Sequence, residues 1–188
     1  VDPIIAKIYG GGASVVDFDN DGDLDFFVGT NFGQTSQLYR NNGSGQFQEV
    51  ASSLGISNSD RIRVGLWIDY NGDELLDLIL VGDCFKVSSG CVEQLDIYLY
   101  RQTSGGQFEE ETNAGLDFNG KYNTSLDTEK VVGGVSAADI NNDGWLDFYI
   151  GTGSPEFTSV IPNRMFLNID GETFEEVTSA GGFGHIQK

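Results

Sequence analysis

Five aspartates alternate through "DFDNDGDLD": Asp17, Asp19, Asp21, Asp23 and Asp25. Carboxylates this close repel one another unless a positive charge gathers them. Oxygen ligands at this spacing suit a hard cation. Calcium takes about 6–8 oxygens at roughly 2.3–2.6 Å, whereas magnesium prefers to keep several waters. Alternate side chains of a tight loop converge on one centre. Positions 1, 3 and 5 then offer carboxylate or amide oxygens, position 7 a backbone carbonyl, and position 9 a closing carboxylate. The expected calcium ligands of this loop are therefore Asp17, Asp19, Asp21, the carbonyl of Asp23, and Asp25.

The pattern recurs twice. "DYNGDELLD" supplies Asp69, Asn71, Asp73, the carbonyl of Leu75, and Asp77; "DINNDGWLD" supplies Asp139, Asn141, Asp143, the carbonyl of Trp145, and Asp147. About three calcium sites are expected. Gly22 and Gly144 follow the third ligand, where the chain must turn sharply and glycine accepts φ > 0 without steric cost. Glu74 stands there in the second loop, so that site is expected to be the weakest or most distorted. The competing reading is an Asp/Asn-rich turn that caps its own backbone without metal. Three copies at matching places favour the metal.

The elements that must position these loops also repeat. Before each loop lies an apolar run ("ASVVDF", "RVGLWID", "VSAADI"), and after each another ("FFVGT", "LILVGD", "FYIGT"). A hairpin pattern follows: "QLYRNNGSGQFQEV", "IYLYRQTSGGQFEEE" and "RMFLNIDGETFEEV". Its first strand carries Tyr39, Tyr100 or Phe166, and its second is expected to point Phe47, Phe108 or Phe174 inward and the acids outward. Four strands per unit, repeated, predict an all-β fold, a β-propeller of four-stranded blades, in preference to a β-sandwich. The blades are expected at 12–57, 61–118 and 131–184, with insertions around 83–93 and 117–130, all within one propeller segment spanning 1–188. Propellers typically have 4–8 blades. Three leave open sheet edges, so the chain is read as part of a larger, about seven-bladed propeller that needs further blades from a parent chain or from other chains.

These motifs resemble tandem FG-GAP/VCBS-type repeats, the calcium-binding propeller blades of integrin α-subunit heads and of many secreted or surface proteins. The most specific element is D-x-[DN]-x-D-G-x-x-D between two strands, and the likeness covers nearly the whole chain. In that family the residues named above are the calcium ligands. Two departures stand out. Glu74 replaces glycine, and "VGT", "VGD" and "IGT" stand where the "GAP" word would be. The chain is thus nearer the VCBS-like branch, and integrin ligand binding is not carried over.

Composition sets further bounds. The 188 residues carry a formal net charge of -19, which argues against nucleic-acid or anionic-membrane partners. No run of about 18 apolar residues exists to insert in a membrane. The sequence opens on Val1 and reads as a processed product or an excerpt. Cys84 and Cys91 flank a Ser-Ser-Gly turn and are expected to close a hairpin as a disulfide, with free thiols or a metal pair as the alternatives; a disulfide implies an oxidising compartment. Asn42 and Asn123 begin glycosylation sequons. Together these point to a secreted or cell-surface location.

The functional expectation is an extracellular calcium-binding module for protein or glycan interaction or adhesion, its calcium structural. One alternative is a lectin using Trp67 or Trp145, although core packing is the preferred reading of both. Another is a structural subunit of a surface assembly or filament. An enzyme acting on polysaccharides is the least favoured. The single histidine, His185, supports no catalytic pairing, and the clustered carboxylates are already assigned to calcium, so no enzyme activity is expected.

Overall fold

Each acidic loop interrupts two apolar, β-branched and aromatic runs, which is the composition of a hairpin whose strands pack on both sides. The computed structural model describes residues 11–31, 33–82, 86–87, 90–91, 97–116, 131–153 and 163–177. The first sheet comprises β1 (Ala13–Val16), β2 (Asp25–Val28), β3 (Gln37–Asn41) and β4 (Phe47–Glu49). The second chain segment contributes β5 (Ile62–Ile68), β6 (Asp77–Gly82), β7 (Lys86–Val87), β8 (Gly90–Cys91), β9 (Ile97–Gln102) and β10 (Phe108–Glu110). The third comprises β11 (Val131–Ala138), β12 (Asp147–Gly153), β13 (Arg164–Ile169) and β14 (Thr173–Glu176). Among the described residues the only helical element is a short 3-10 turn, Ser52–Leu54.

The protein is thus all-β, with three four-stranded antiparallel sheets, each a simple meander resembling a propeller blade. In the second sheet the order is β5-β6-β9-β10, because the small hairpin β7–β8 is inserted between β6 and β9. Corresponding pairs close the three acidic loops: Val16 opposite Asp25, Ile68 opposite Asp77, and Ala138 opposite Asp147. The repeat read in the sequence is therefore a repeat in register.

Side-chain alternation explains how the sheets stack. Successive residues of a strand point to opposite faces. On β6, Leu78 and Leu80 join Phe18, Phe27 and Leu38 of the first segment, while Ile79 and Val81 join Phe148 and Phe166 of the third. Every residue of β6 is buried, as expected of a strand covered on both faces. The first strand of the middle sheet, β5, lies against both β1 and β11, which sets the three first strands side by side.

One expectation fails. Phe108 and Phe174 are buried, but Phe47 is exposed. Phe108 joins the core between the first and second sheets, and Phe174 the core between the second and third. Phe47 occupies the same place in the first sheet, where among the described residues no preceding sheet covers it. Of the inserted cysteine segment, β7 pairs with β8 and Lys86 faces Cys91. Cys84 lies outside the described residues, as do Asn123, His185 and the second insertion.

Candidate metal centre

The three acidic loops connect the first and second strands of their sheets. Each is organised by the aspartate at its first position, which folds the loop around its own side chain. Asp17 accepts hydrogen bonds from the backbone N–H groups of Asp21 (3.1 Å) and Gly22 (3.0 Å). Asp139 accepts from Asp143 (3.1 Å) and Gly144 (3.0 Å). Asp69 accepts from Gly72 (2.8 Å), Asp73 (3.1 Å) and Glu74 (2.9 Å). The fifth-position aspartates then accept from the seventh-position N–H, at 2.9 Å in all three loops. Self-capping of the backbone, the competing reading of these loops, is therefore present. It leaves acceptor sites free, because each carboxylate oxygen can take about two partners.

The loops need left-handed backbone at two places. The sixth position has φ +91° at Gly22, +67° at Glu74 and +98° at Gly144; the fourth has +56° at Asn20, +75° at Gly72 and +61° at Asn142. The middle loop has thus placed its glycine two residues early and set a glutamate where the others have glycine. Asparagine tolerates this conformation better than most residues, glutamate less.

The ninth-position aspartates behave differently from the others. Asp25, Asp77 and Asp147 are fully buried. Asp25 accepts from the N–H of Phe18 (3.2 Å) and of Asn41 (2.8 Å). Asp77 accepts from Tyr70 (3.2 Å) and Gln102 (2.8 Å), and Asp147 from Ile140 and Asn168 (both 2.8 Å). Each therefore ties the loop to the third strand of its sheet.

Sequence reasoning missed these partner residues, Asn41, Gln102 and Asn168. The signal was available, since an amide residue stands two places after the aromatic Tyr39, Tyr100 or Phe166 in all three hairpin blocks. It also missed Arg40, whose Nε lies 2.9 Å from Asp19 Oδ2 and whose guanidinium sits 5.3 Å from the centre of the Phe18 ring.

In the first loop Asp17, Asp19 and Asp21 come together, each offering a carboxylate oxygen within 4.8 Å of the others. Oδ1 of Asp19 is buried with no hydrogen-bond donor. A buried acceptor among like charges, left unpaired, is where a cation would fit. Among the described residues this is the only such group of three acidic side chains. The other loops have amides at the third position. Asn71 and Asn141 donate to Asp73 and Asp143 (3.1 and 2.7 Å) and accept from their N–H groups (both 3.0 Å), so these two loops carry less repulsion. Asp23 stands aside from the cluster, its carboxylate over the hairpin turn at Gly43.

The electrostatics follow from this crowding. Burial raises the Asp19 carboxyl above its ordinary value, and the charges of Asp21 and Asp17 add to the rise while Arg40 opposes it. Burial likewise raises Asp25 against the pull of the Asn41 and Phe18 N–H groups. Asp77 is pushed up to about 7 by burial; the N–H groups of Gln102 and Tyr70 work against the shift, and the charges of Asp73 and Asp69 reinforce it.

The family model of the FG-GAP-like repeat matches residues 17–80, from the first aspartate of the first loop to within β6. The chain carries an FG-GAP-type repeat. That match spans the first acidic loop, the first sheet's hairpin and the whole second loop. The third loop lies beyond the matched residues but repeats their hydrogen bonds. No curated protein matches the chain.

Both tryptophans pack against neighbouring units of this repeat array. Trp67 lies within 5.9–6.2 Å, centre to centre, of Phe18, Phe27 and Phe108, and its Nε1 donates to Ser14 Oγ at 3.1 Å. Trp145 lies over Gly171 and Gly72, whose missing side chains leave room for its ring.

Proposed function

We propose that this FG-GAP-type chain is an extracellular calcium-binding β-propeller module whose calcium is structural and whose clamped loops present a surface to a protein or glycan. The observation that carries the reading is the convergence of Asp17, Asp19 and Asp21 around an unpaired buried oxygen of Asp19. Asp17, Asp19, Asp21, Asp25 and the Asp23 carbonyl would hold the first ion. The second would take Asp69, Asn71, Asp73, Asp77 and the Leu75 carbonyl, and the third Asp139, Asn141, Asp143, Asp147 and the Trp145 carbonyl. Bound calcium supplies positive charge that offsets carboxylate repulsion. The chain's own part is to hold the loop backbone in place through its first- and ninth-position aspartates.

Sites of this kind in extracellular modules bind at about 10⁻⁴–10⁻³ M, which suffices outside cells. The same location would suit a Cys84–Cys91 disulfide and a glycan on Asn42, which is exposed on the turn between β3 and β4. A net charge of -19 speaks against nucleic acid and anionic membrane as partners. We assign the chain no catalytic role. A lectin built on Trp67 has less support, because that ring is engaged between sheets.

Thermal melting with and without a chelator tests the proposal. The melting temperature should fall on chelation and recover with added calcium but not with equal magnesium. An unchanged melting temperature in chelator would sink it.

A further inference from the structure

The first acidic loop differs from the other two at its third position. Asp19 stands where the second and third loops have Asn71 and Asn141. Those amides bond within their own loops, to Asp73 and Asp143. Asp19 has a cation instead. Arg40 Nε lies 2.9 Å from its Oδ2, a close ion pair without the alignment of a hydrogen bond. Oδ1 of the same carboxylate is buried and has no donor.

Strand register explains why Arg40 turns to the loop. It precedes Asn41, whose N–H holds Asp25, so it stands on β3 level with Arg101 on β9 and Leu167 on β13. Arg101 is engaged by the neighbouring strand. Glu109, opposite it, accepts from its Nη2 at 2.7 Å, and Glu111 accepts from its Nε at 2.7 Å. In the first sheet the same places hold Gln48, opposite Arg40, and Val50, neither of them charged. The third unit has neither the arginine nor the third-position acid, since Leu167 and Asn141 stand there. The unit with an acid at the third position is thus the one whose arginine has no carboxylate at these places on the next strand. The Arg40 guanidinium is also seated 5.3 Å from the centre of the Phe18 ring, and Phe18 lies between Asp17 and Asp19.

We propose that Arg40 is the internal counter-cation of the first loop: it offsets the Asp19 charge while no metal is bound, and it opposes calcium when calcium is offered. A positive charge beside Asp19 reduces its repulsion with Asp17 and Asp21. The same charge repels a divalent cation approaching Oδ1 across one carboxylate. The loop is therefore held in shape without metal, at the cost of affinity for it. Arg40 is 39% exposed and Asp19 21%, so solvent screens the pair and both effects are modest. The first half of the proposal concerns Arg40 and Asp19 alone. The second half rests on the calcium reading given above.

A double-mutant cycle melted in chelator tests the first half, with circular dichroism reporting the fold. Its members are the wild type, Arg40→Leu, Asp19→Asn and the double variant, which gives the first loop the residues of the third. Arg40→Leu should lower the melting temperature by about 1–3 °C. In the Asp19→Asn background the same change should have little effect. Arg40→Gln repeats the series if Arg40→Leu misfolds. Equal losses in both backgrounds would mean that Arg40 acts by packing on Phe18, and would overturn the proposal. Calcium titration followed at the Gly22 backbone amide by heteronuclear NMR tests the second half. Arg40→Leu should bind calcium there about 3–10-fold tighter at low ionic strength, with a smaller gain in salt. Binding of unchanged or lower affinity overturns the proposal; lower affinity would make Arg40 a positioning residue for the metal. Coupling in chelator, with a Gly22 amide that ignores calcium in both proteins, supports the counter-cation while failing the calcium reading. Calcium binding at Gly22 without that coupling does the reverse.

Discussion

At the residue scale, the acidic loops balance two costs against each other. A left-handed backbone strains a residue that has a side chain, and gathered carboxylates repel. Glu74 bears both, at φ +67° in a loop with Asp69, Asp73 and Asp77. Glu74→Gly should relieve about 1 kcal/mol of strain, partly offset by the greater freedom of glycine in the unfolded chain. The expected net result is a melting temperature higher by up to about 2–4 °C, the shift that 1 kcal/mol produces in a protein of this size, together with tighter calcium binding by calorimetry. Asp77 gives a pH prediction. Its carboxyl is raised from 3.8 to about 7, so the fold prefers it protonated when no metal is bound. That contribution to stability is complete below about pH 4 and is lost as pH rises through about 7. In chelator, the melting temperature should therefore fall between pH 5 and 8. With calcium the fall should flatten or reverse, because a cation beside the carboxylate favours its ionised form.

At the element scale, the sheets are held together by alternation along their strands and by a few polar contacts between units. Gly115 lies against the backbone of the next sheet: a side chain there would meet the carbonyl oxygen of Phe174 at 2.2 Å, and its φ is +75°. Gly115→Ala should therefore destabilise by about 1–3 kcal/mol, read as a lower urea midpoint at unchanged m-value. Asn168→Ala removes a buried donor from the carbonyl of Tyr70 and should cost about 1–3 kcal/mol. The matching change Asn41→Ala breaks two exposed contacts within its own unit, the donation to Leu24 O and the bond accepted from the Gly43 N–H, so it should matter less. Much of this level was legible beforehand. Period-two patterning and turn residues located the four strands of each unit, because those signals are local. The ninth-position aspartates were read only as ligands. Their role in binding the third strand depends on contacts 16, 25 and 21 residues away in sequence, which no local pattern displays.

At the scale of the whole molecule, a net charge of -19 is a standing repulsion that bound calcium would reduce. Added salt screens such repulsion, with a Debye length that shrinks to about 3 Å at 1 M. In chelator, raising sodium chloride from low to molar concentration should therefore raise the melting temperature, and with calcium present the same change should have a smaller effect. A metal-free protein that is indifferent to salt would show that its acids are already relaxed into solvent, and would remove the electrostatic reason for the calcium sites.

By itself the sequence determined the repeat, the all-β character, the position of each acidic loop and the residues within it. These are local matters of spacing and side-chain type, and the strand period and turn chemistry express them directly. Only the tertiary structure decided which aspartates gather and which are occupied by backbone. It also decided which face of each sheet is covered. Asp17, Asp19 and Asp21 meet because the loop folds around its first aspartate, whereas the matching loops carry amides that satisfy their neighbours. Phe47 is exposed while Phe108 and Phe174 are buried, although all three hold the same place in their units. Burial belongs to the neighbour as much as to the residue, and among the described residues the first sheet has a neighbouring sheet on one side alone.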